Sequence, residues 1–344
     1  MMNIEARTGY RVGDCMDIEF QAFKMNSMGN SQHQDQNNHS QNGFFARRDD
    51  QTKTRSFFES HKISAAPSFA FKPIRHDPKP SKLEIVKNFL ASCEEESHLP
   101  DANYFVLHPQ ITNKDRRVVV EWLVGLTTMI KVRTDVSFAA VNLLDRFLSA
   151  TKSWSTARDL HILALVSFFI ACNNEGLHEL TRCHLQKLCK ERFTDDEIDD
   201  VIDAFNRSVN YGPRFTSALQ YFDSFSNYLD LTREEKNFGW MLLETALLDY
   251  KMIAKKPSLQ AVAALHVTQY YFGKKSNIHN WLRPLLGYSE DHFHEVKDRM
   301  LEFYRRLSQL MTDNKVFEKF SSHSYCEVSK LRFPLSRSIG PSLR

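Results

Sequence analysis

Residues 115–126 read DRRVVVEWLVGL. Val119, Trp122, Leu123 and Leu126 recur at i, i+3, i+4 and i+7, which places them on one face of an α-helix. Val118 and Val120 widen the apolar arc, so this helix belongs at the centre of a fold rather than on its surface. Arg116, near the helix start, then faces burial, and a buried guanidinium needs a carboxylate. The next apolar segment, AVNLLDRFLSA from Ala140, supplies one in Asp145. An Arg116–Asp145 pair is the physically motivated reading, and two ordinary surface charges is the alternative. Arg117 and Glu121 are expected at the edge that meets solvent or partners.

The same periodicity runs outward in both directions. Upstream, KLEIVKNFLASCEEE puts Leu83, Val86, Phe89 and Leu90 on one helical face, and a connector through PDANYFVLHPQ leads to a helix start at Thr112-Asn113. Downstream come TDVSFAAVNLLDRFLSA, with Thr134 or Asp135 as N-cap, and the nearly all-apolar STARDLHILALVSFFIACN, capped around Ser155. TRCHLQKLCKE and TDDEIDDVIDAFNRSV follow, the latter with a Thr194/Glu197 capping box. NYGPR then breaks the chain at Gly212-Pro213. FTSALQYFDSFSNYL, TREEKNFGWMLLETALLDYKMI with a Thr232/Glu235 box, KPSLQAVAALHVTQYYFG with Pro257 in its first turn, IHNWLRPLLG and SEDHFHEVKDRMLEFYRRLSQLM repeat the plan. In each set the third helix is the most apolar and is rich in Ala and Ser, so its neighbours must wrap it.

These segments predict an all-α chain with two tandem five-helix folds. The expected organisation is a disordered region over 1–80, a helix and first fold over 81–211, a second fold over 212–332 and a tail over 333–344. The Gln/Asn/His tract SQHQDQNNHSQNG and the proline-marked stretch after it offer too little apolar surface to order themselves.

The 344 residues carry 45 basic and 42 acidic side chains, a formal charge of +3, which implies neither a nucleic acid nor an anionic membrane as partner. No apolar run is long enough to span a bilayer, and the N-terminus lacks a secretory core. The 6 scattered cysteines suit a reducing compartment, nucleus and/or cytoplasm.

Several stretches resemble the A- and B-type mitotic cyclins. QITNKDRRVVVEWL is similar to DITNxMRAxLVDWL, the opening of that family's first box. AVNLLDRFLS is similar to AVNYIDRFLS, ETALLDYKMIAKKPSLQAVAAL to ELTLLDYxxLxYKPSxxAAAAL, and EKFSSHSYCEVSKL to the closing KYxxxxYxxVS. The matches run in order over about residues 83–332 and agree with the helix count. The resemblance implies two cyclin-box folds, an Arg116–Asp145 structural pair, and no catalysis by the chain itself. It implies binding to a cyclin-dependent kinase, whose αC helix is pushed inward and whose activation loop is ordered.

Family recognition residues carry over with changes. The kinase contact, a lysine late in the third helix in a pattern like ASKFEE and a glutamate in the fifth, falls on IACNNEG and on α-helical DDVIDAF. Asn173 stands at the lysine, Asn174 at the phenylalanine and Glu175 at the first glutamate. Ile202 stands at the second glutamate, or Asp203 with a shift of one, and Tyr211 completes the candidate interface. Asparagine cannot supply the same charge-assisted bond. The dock for RxL-type substrate or inhibitor peptides maps to Asp115, Val118, Val119 and Trp122. A core role for Trp122 weighs equally.

No other chemistry competes strongly. Cys183, His184 and Cys189 match no standard zinc spacing and read as structural, so no metal or cofactor is expected. His161 and His266 lie in apolar helices, where a satisfied core histidine is the default. The runs KMIAKK and RRLSQ are too local for a nucleic-acid face, which leaves a DNA- or polymerase-binding cyclin fold, or a scaffold without kinase activation, as alternatives. The arginines at 7, 11, 47, 48, 55 and 75 have no leucine three positions on, so no RxxL destruction box is expected.

Overall fold

The computed structural model describes residues 82–331, apart from 94–98, 153, 155, 178–179, 190–191, 210–214, 228, 230 and 311–313. The tracts before Lys82, Tyr211 and the tail after Leu331 lie outside the described residues. Among those described there is no strand, and no helix is long and apolar enough to cross a membrane.

The helices follow the order read from the sequence. A leading helix α1 (Lys82–Ala91) precedes a first set, α2 (Asn113–Met129), α3 (Asp135–Ala150), α4 (Ala157–Asn174), α5 (Arg182–Leu188) and α6 (Asp195–Ser208). The second set is α7 (Ala218–Ser226), α8 (Arg233–Leu247), α9 (Pro257–Tyr271), α10 (Ile278–Leu286) and α11 (Glu290–Leu310). A short α12 (Lys315–Phe320) and two 3-10 turns, His323–Tyr325 and Val328–Lys330, close the chain where the sequence reading placed no helix.

Helix starts are fixed by local chemistry. The Thr194/Glu197 and Thr232/Glu235 boxes form, and so do Thr112/Asp115, Thr156/Asp159 and Ser217/Gln220. Each box satisfies two otherwise orphaned N–H groups. The α4 cap is therefore Thr156 rather than a residue around Ser155. At α3 neither expected side chain caps the helix: Thr134 makes no cap bond, and the Asp135 carboxylate turns to the Arg133 guanidinium instead.

The third helix of each set is the hub. Residues 160–168 of α4 are all buried, and α4 packs on α2, α3 and α6. Helix α9 packs on α7, α8, α10 and α11, and Ala261, Val262, Ala263, Ala264 and Leu265 are sealed from solvent. Close approach matters again at Gly239 on α8, where an added Cβ would sit 2.1 Å from the Phe222 ring of α7. The two sets meet where α7 and α8 lie on α3 and where α12 lies on α2.

Candidate functional site

The seam between the folds is built from α2 outward. Arg116 is 2% exposed, and its Nε and Nη2 donate to Asp145 Oδ1 and Oδ2 at 2.8 and 2.6 Å. Its Nη1 donates to the Leu247 carbonyl at 2.9 Å, at the end of α8 in the second fold. The Tyr104 hydroxyl donates to Asp145 Oδ1 at 2.9 Å. Burial, then the Asp145 carboxylate, hold the Tyr104 hydroxyl well above its ordinary range. This fork-to-fork pair thus has its donors and acceptors occupied, the condition under which a buried ion pair is tolerated.

Tyr104 lies in the connector 100–110, which shows no helical period and reads as a plain link. It is a 3-10 turn (Tyr104–Val106) whose Tyr104 is fully buried, followed by a fully buried His108 that donates from Nε2 to the Leu148 carbonyl at 2.8 Å. The closing segment is the other partner missed. Lys319 on α12 reaches the buried Glu244 carboxylate of α8 and donates to Thr134 Oγ1 at 3.2 Å. Glu121, half-buried on α2, has a partner within the chain. Its carboxylate accepts the Lys315 N–H at 2.8 Å and so anchors the first turn of α12.

The proposed peptide dock does not form one open patch. Val119 is 0% and Trp122 4% exposed, and Trp122 meets the His161 ring edge-on at 5.3 Å. Asp115 spends its carboxylate on the Thr112 N–H and hydroxyl at 2.9 and 2.6 Å. Asp115 and Val118 are half-buried. The physical reason is the one that made the stretch helical: its apolar stripe faces the core, and its first acid is a capping residue.

At the other candidate face, Asn173 is half-buried and Asn174 exposed at the end of α4, while Ile202 is half-buried and Asp203 exposed on α6, which packs against α4. Glu175 turns inward. Its side chain is 8% exposed and lies 3.9 Å from the Arg133 guanidinium. Arg133, which sequence reasoning passed over, is 64% exposed and is held by Asp135 and Glu175, which raise its already high pKa. It presents a cation beside Glu175, at the end of α4.

The other groups singled out from sequence have structural roles. His184 Nδ1 accepts the Thr181 N–H at 3.1 Å, Cys189 is buried, and no cluster among the described residues could hold a metal. His161 sits between Trp122 and Phe193, and burial lowers the His266 imidazole to about 4. Lys255 pairs with Glu295 and Arg306 with Glu302, each at 2.5 Å, so each basic run has a member held by one of the chain's own acids.

Two five-helix repeats joined through a buried arginine fork define a double-box helical protein. The description "Cyclin, N-terminal domain" matches residues 84–211 and "Cyclin, C-terminal domain" residues 214–334, and the chain belongs to the cyclin family. It is 24% identical over 246 residues to the G2/mitotic-specific cyclin-B of Emericella nidulans, covering 70% of this chain and 49% of that one. It is 23% identical over 238 residues to the G2/mitotic-specific cyclin CYB1 of Candida albicans, covering 69% and 47%. The chain therefore spans about half the length of the curated relatives it matches. A viral cyclin from herpesvirus saimiri superposes with a TM-score of 0.50 at 16% identity, over 65% of this chain and 98% of that one.

Proposed function

We propose that this chain is the regulatory subunit of a cyclin-dependent serine/threonine kinase, acts in the nucleus and/or cytoplasm at a G2/M-type step, and leaves catalysis to its partner. The observation that carries the reading is the complete pair of cyclin folds with a fully satisfied buried fork at their junction. The names of the mitotic relatives support the step. Contact with the kinase centres on the α4 end and α6, through Asn173, Asn174, Ile202 and Asp203, with Arg133 supplying positive charge in place of the family's lysine. Peptide docking of the RxL type is a secondary role and would use the half-exposed rim at Asp115 and Val118.

The test is co-purification of the full chain from dividing cells, followed by a histone-kinase assay. An associated, active kinase is expected. Asn173→Lys should tighten the association, and Arg133→Ala should weaken it about tenfold or more, the scale of one charge-assisted bond. A stable complex without activity would replace this reading with a scaffold. Salt-dependent DNA binding with no associated kinase would replace it with a nucleic-acid role.

A further inference from the structure

A cleft of about 830 Å³ opens where the end of α2, the start of α8 and the closing turn meet. Lys131, Arg233 and Lys236 put three positive charges on its wall, and Trp240, Ser324 and Tyr325 are among the residues that complete it. Among the described residues, none of the three cations has a carboxylate within ion-pair distance. The acid that feels one of them is itself engaged. Asp223 feels Lys236 but accepts the Trp240 indole N–H at 2.8 Å. Lys131 takes a left-handed conformation, φ 57°, which is uncommon for a residue with a long side chain. The cleft therefore concentrates positive charge from both folds without neutralising it, which favours a multiply charged anion.

One wall of the cleft carries an exposed hydroxyl on a rigid support. The Ser322 carbonyl accepts the Tyr325 and Glu327 N–H groups, both at 3.1 Å, and the His323 carbonyl accepts the Cys326 N–H at 3.0 Å. Cys326 and Glu327 are both left-handed, φ 56° and 53°, which closes the turn tightly. Ser324 is exposed at its tip, and its carbonyl already accepts Arg233 Nη2 at 2.8 Å. The guanidinium is thus fixed to the same residue that carries the hydroxyl, and among the described residues its other nitrogens have no acceptor.

We propose that Ser324 is a phosphorylation site whose phosphoryl dianion is held by Lys131, Arg233 and Lys236. A serine/threonine protein kinase supplies the group from ATP. The bond from Ser324 Oγ to the γ-phosphorus forms, the bond from that phosphorus to the bridging oxygen of ADP breaks, and the hydroxyl proton leaves to the kinase's base. The added group carries a charge near −2 and three strong acceptor oxygens. It ties the closing segment to α8 of the second fold and to Lys131 of the first, and so locks the seam from the side opposite Arg116.

The full chain is prepared with phosphoserine encoded at position 324 and titrated by phosphorus NMR. The second phosphoryl pKa, about 6 for a free phosphoserine, is expected to fall clearly below that of a peptide spanning residues 320–328. Lys236→Gln and Lys131→Asn, the latter keeping a residue tolerant of the left-handed region, should each return it part of the way. The urea midpoint should rise on phosphorylation in the parent chain and rise less in both variants. A phosphoryl pKa equal to the peptide's, or one indifferent to both substitutions, overturns the proposal. Inorganic phosphate is titrated in parallel: its binding should be lost once Ser324 carries its phosphate. Equal binding to both forms would show that the cleft serves an outside anion and would also overturn it.

Discussion

Two buried ion pairs hold the seam, and they are built differently. Arg116–Asp145 is a planar fork met by a planar carboxylate, with the Tyr104 hydroxyl and the Leu247 carbonyl completing the set. Lys319–Glu244 is a point charge against one carboxylate oxygen, and Glu244 Oε2 is buried with no hydrogen-bond partner. Burial raises the Glu244 carboxyl above its ordinary value, and Lys319 offsets only part of that. The first pair belongs to a satisfied network. The second carries an unpaid desolvation cost, so the two should respond oppositely to replacement by apolar side chains.

The largest effect is expected from breaking the first pair on one side. Asp145→Ala leaves a buried guanidinium without its carboxylate and should cost about 3–5 kcal/mol, read as a fall in the urea midpoint. Replacing both members, Arg116→Met with Asp145→Leu, should still cost about 1–3 kcal/mol for each group left stranded, here the Tyr104 hydroxyl and the Leu247 carbonyl. If that double variant is as stable as the parent, the network is worth no more than the lysine pair and the comparison collapses. Lys319→Met with Glu244→Leu should be neutral to within about 1 kcal/mol, or stabilising, because it removes an acid that the fold satisfies on one side only.

The smallest effect is in pH dependence. The folded Glu244 carboxyl binds its proton more readily than the unfolded one, so its contribution to stability is fully present below the ordinary carboxylate range. That contribution is lost as pH rises through the raised value. Stability measured against pH should therefore fall less over that window in Glu244→Gln than in the parent. Parallel curves would mean that Lys319 compensates the burial completely.

How much could be read beforehand follows from range. The ten helices of the two folds and their Thr194 and Thr232 caps are set by neighbours three or four residues apart, and such patterns are visible in any single sequence. Arg116 and Asp145 could be paired because each falls where a helix's apolar face is turned to the core, one at the start of DRRVVVEWLVGL and the other within AVNLLDRFLSA. Tyr104 could not be added, since its partner is 41 residues away and its surroundings have no helical period. The same holds for Lys319 and for the true role of Glu121, whose acceptor duty is to a backbone N–H 194 residues on. The burial of Val119 and Trp122 could not be read for a related reason. A residue's helical face can be read from spacing, but whether that face meets the core or a cleft depends on elements elsewhere in the chain.

The link from Glu121 to Lys315 also orders events in time. A ribosome adds about 5–20 residues per second, so roughly 10–40 s separate the synthesis of α2 from that of the helix that covers it. For the later half of that interval the first fold is complete in sequence but bare along the strip that α12 will occupy, with Glu121 and Thr134 still waiting for Lys315 and Lys319. The nascent chain thus passes through a stage in which this face of α2 is accessible, and the last described helix acts as the closure that ends it.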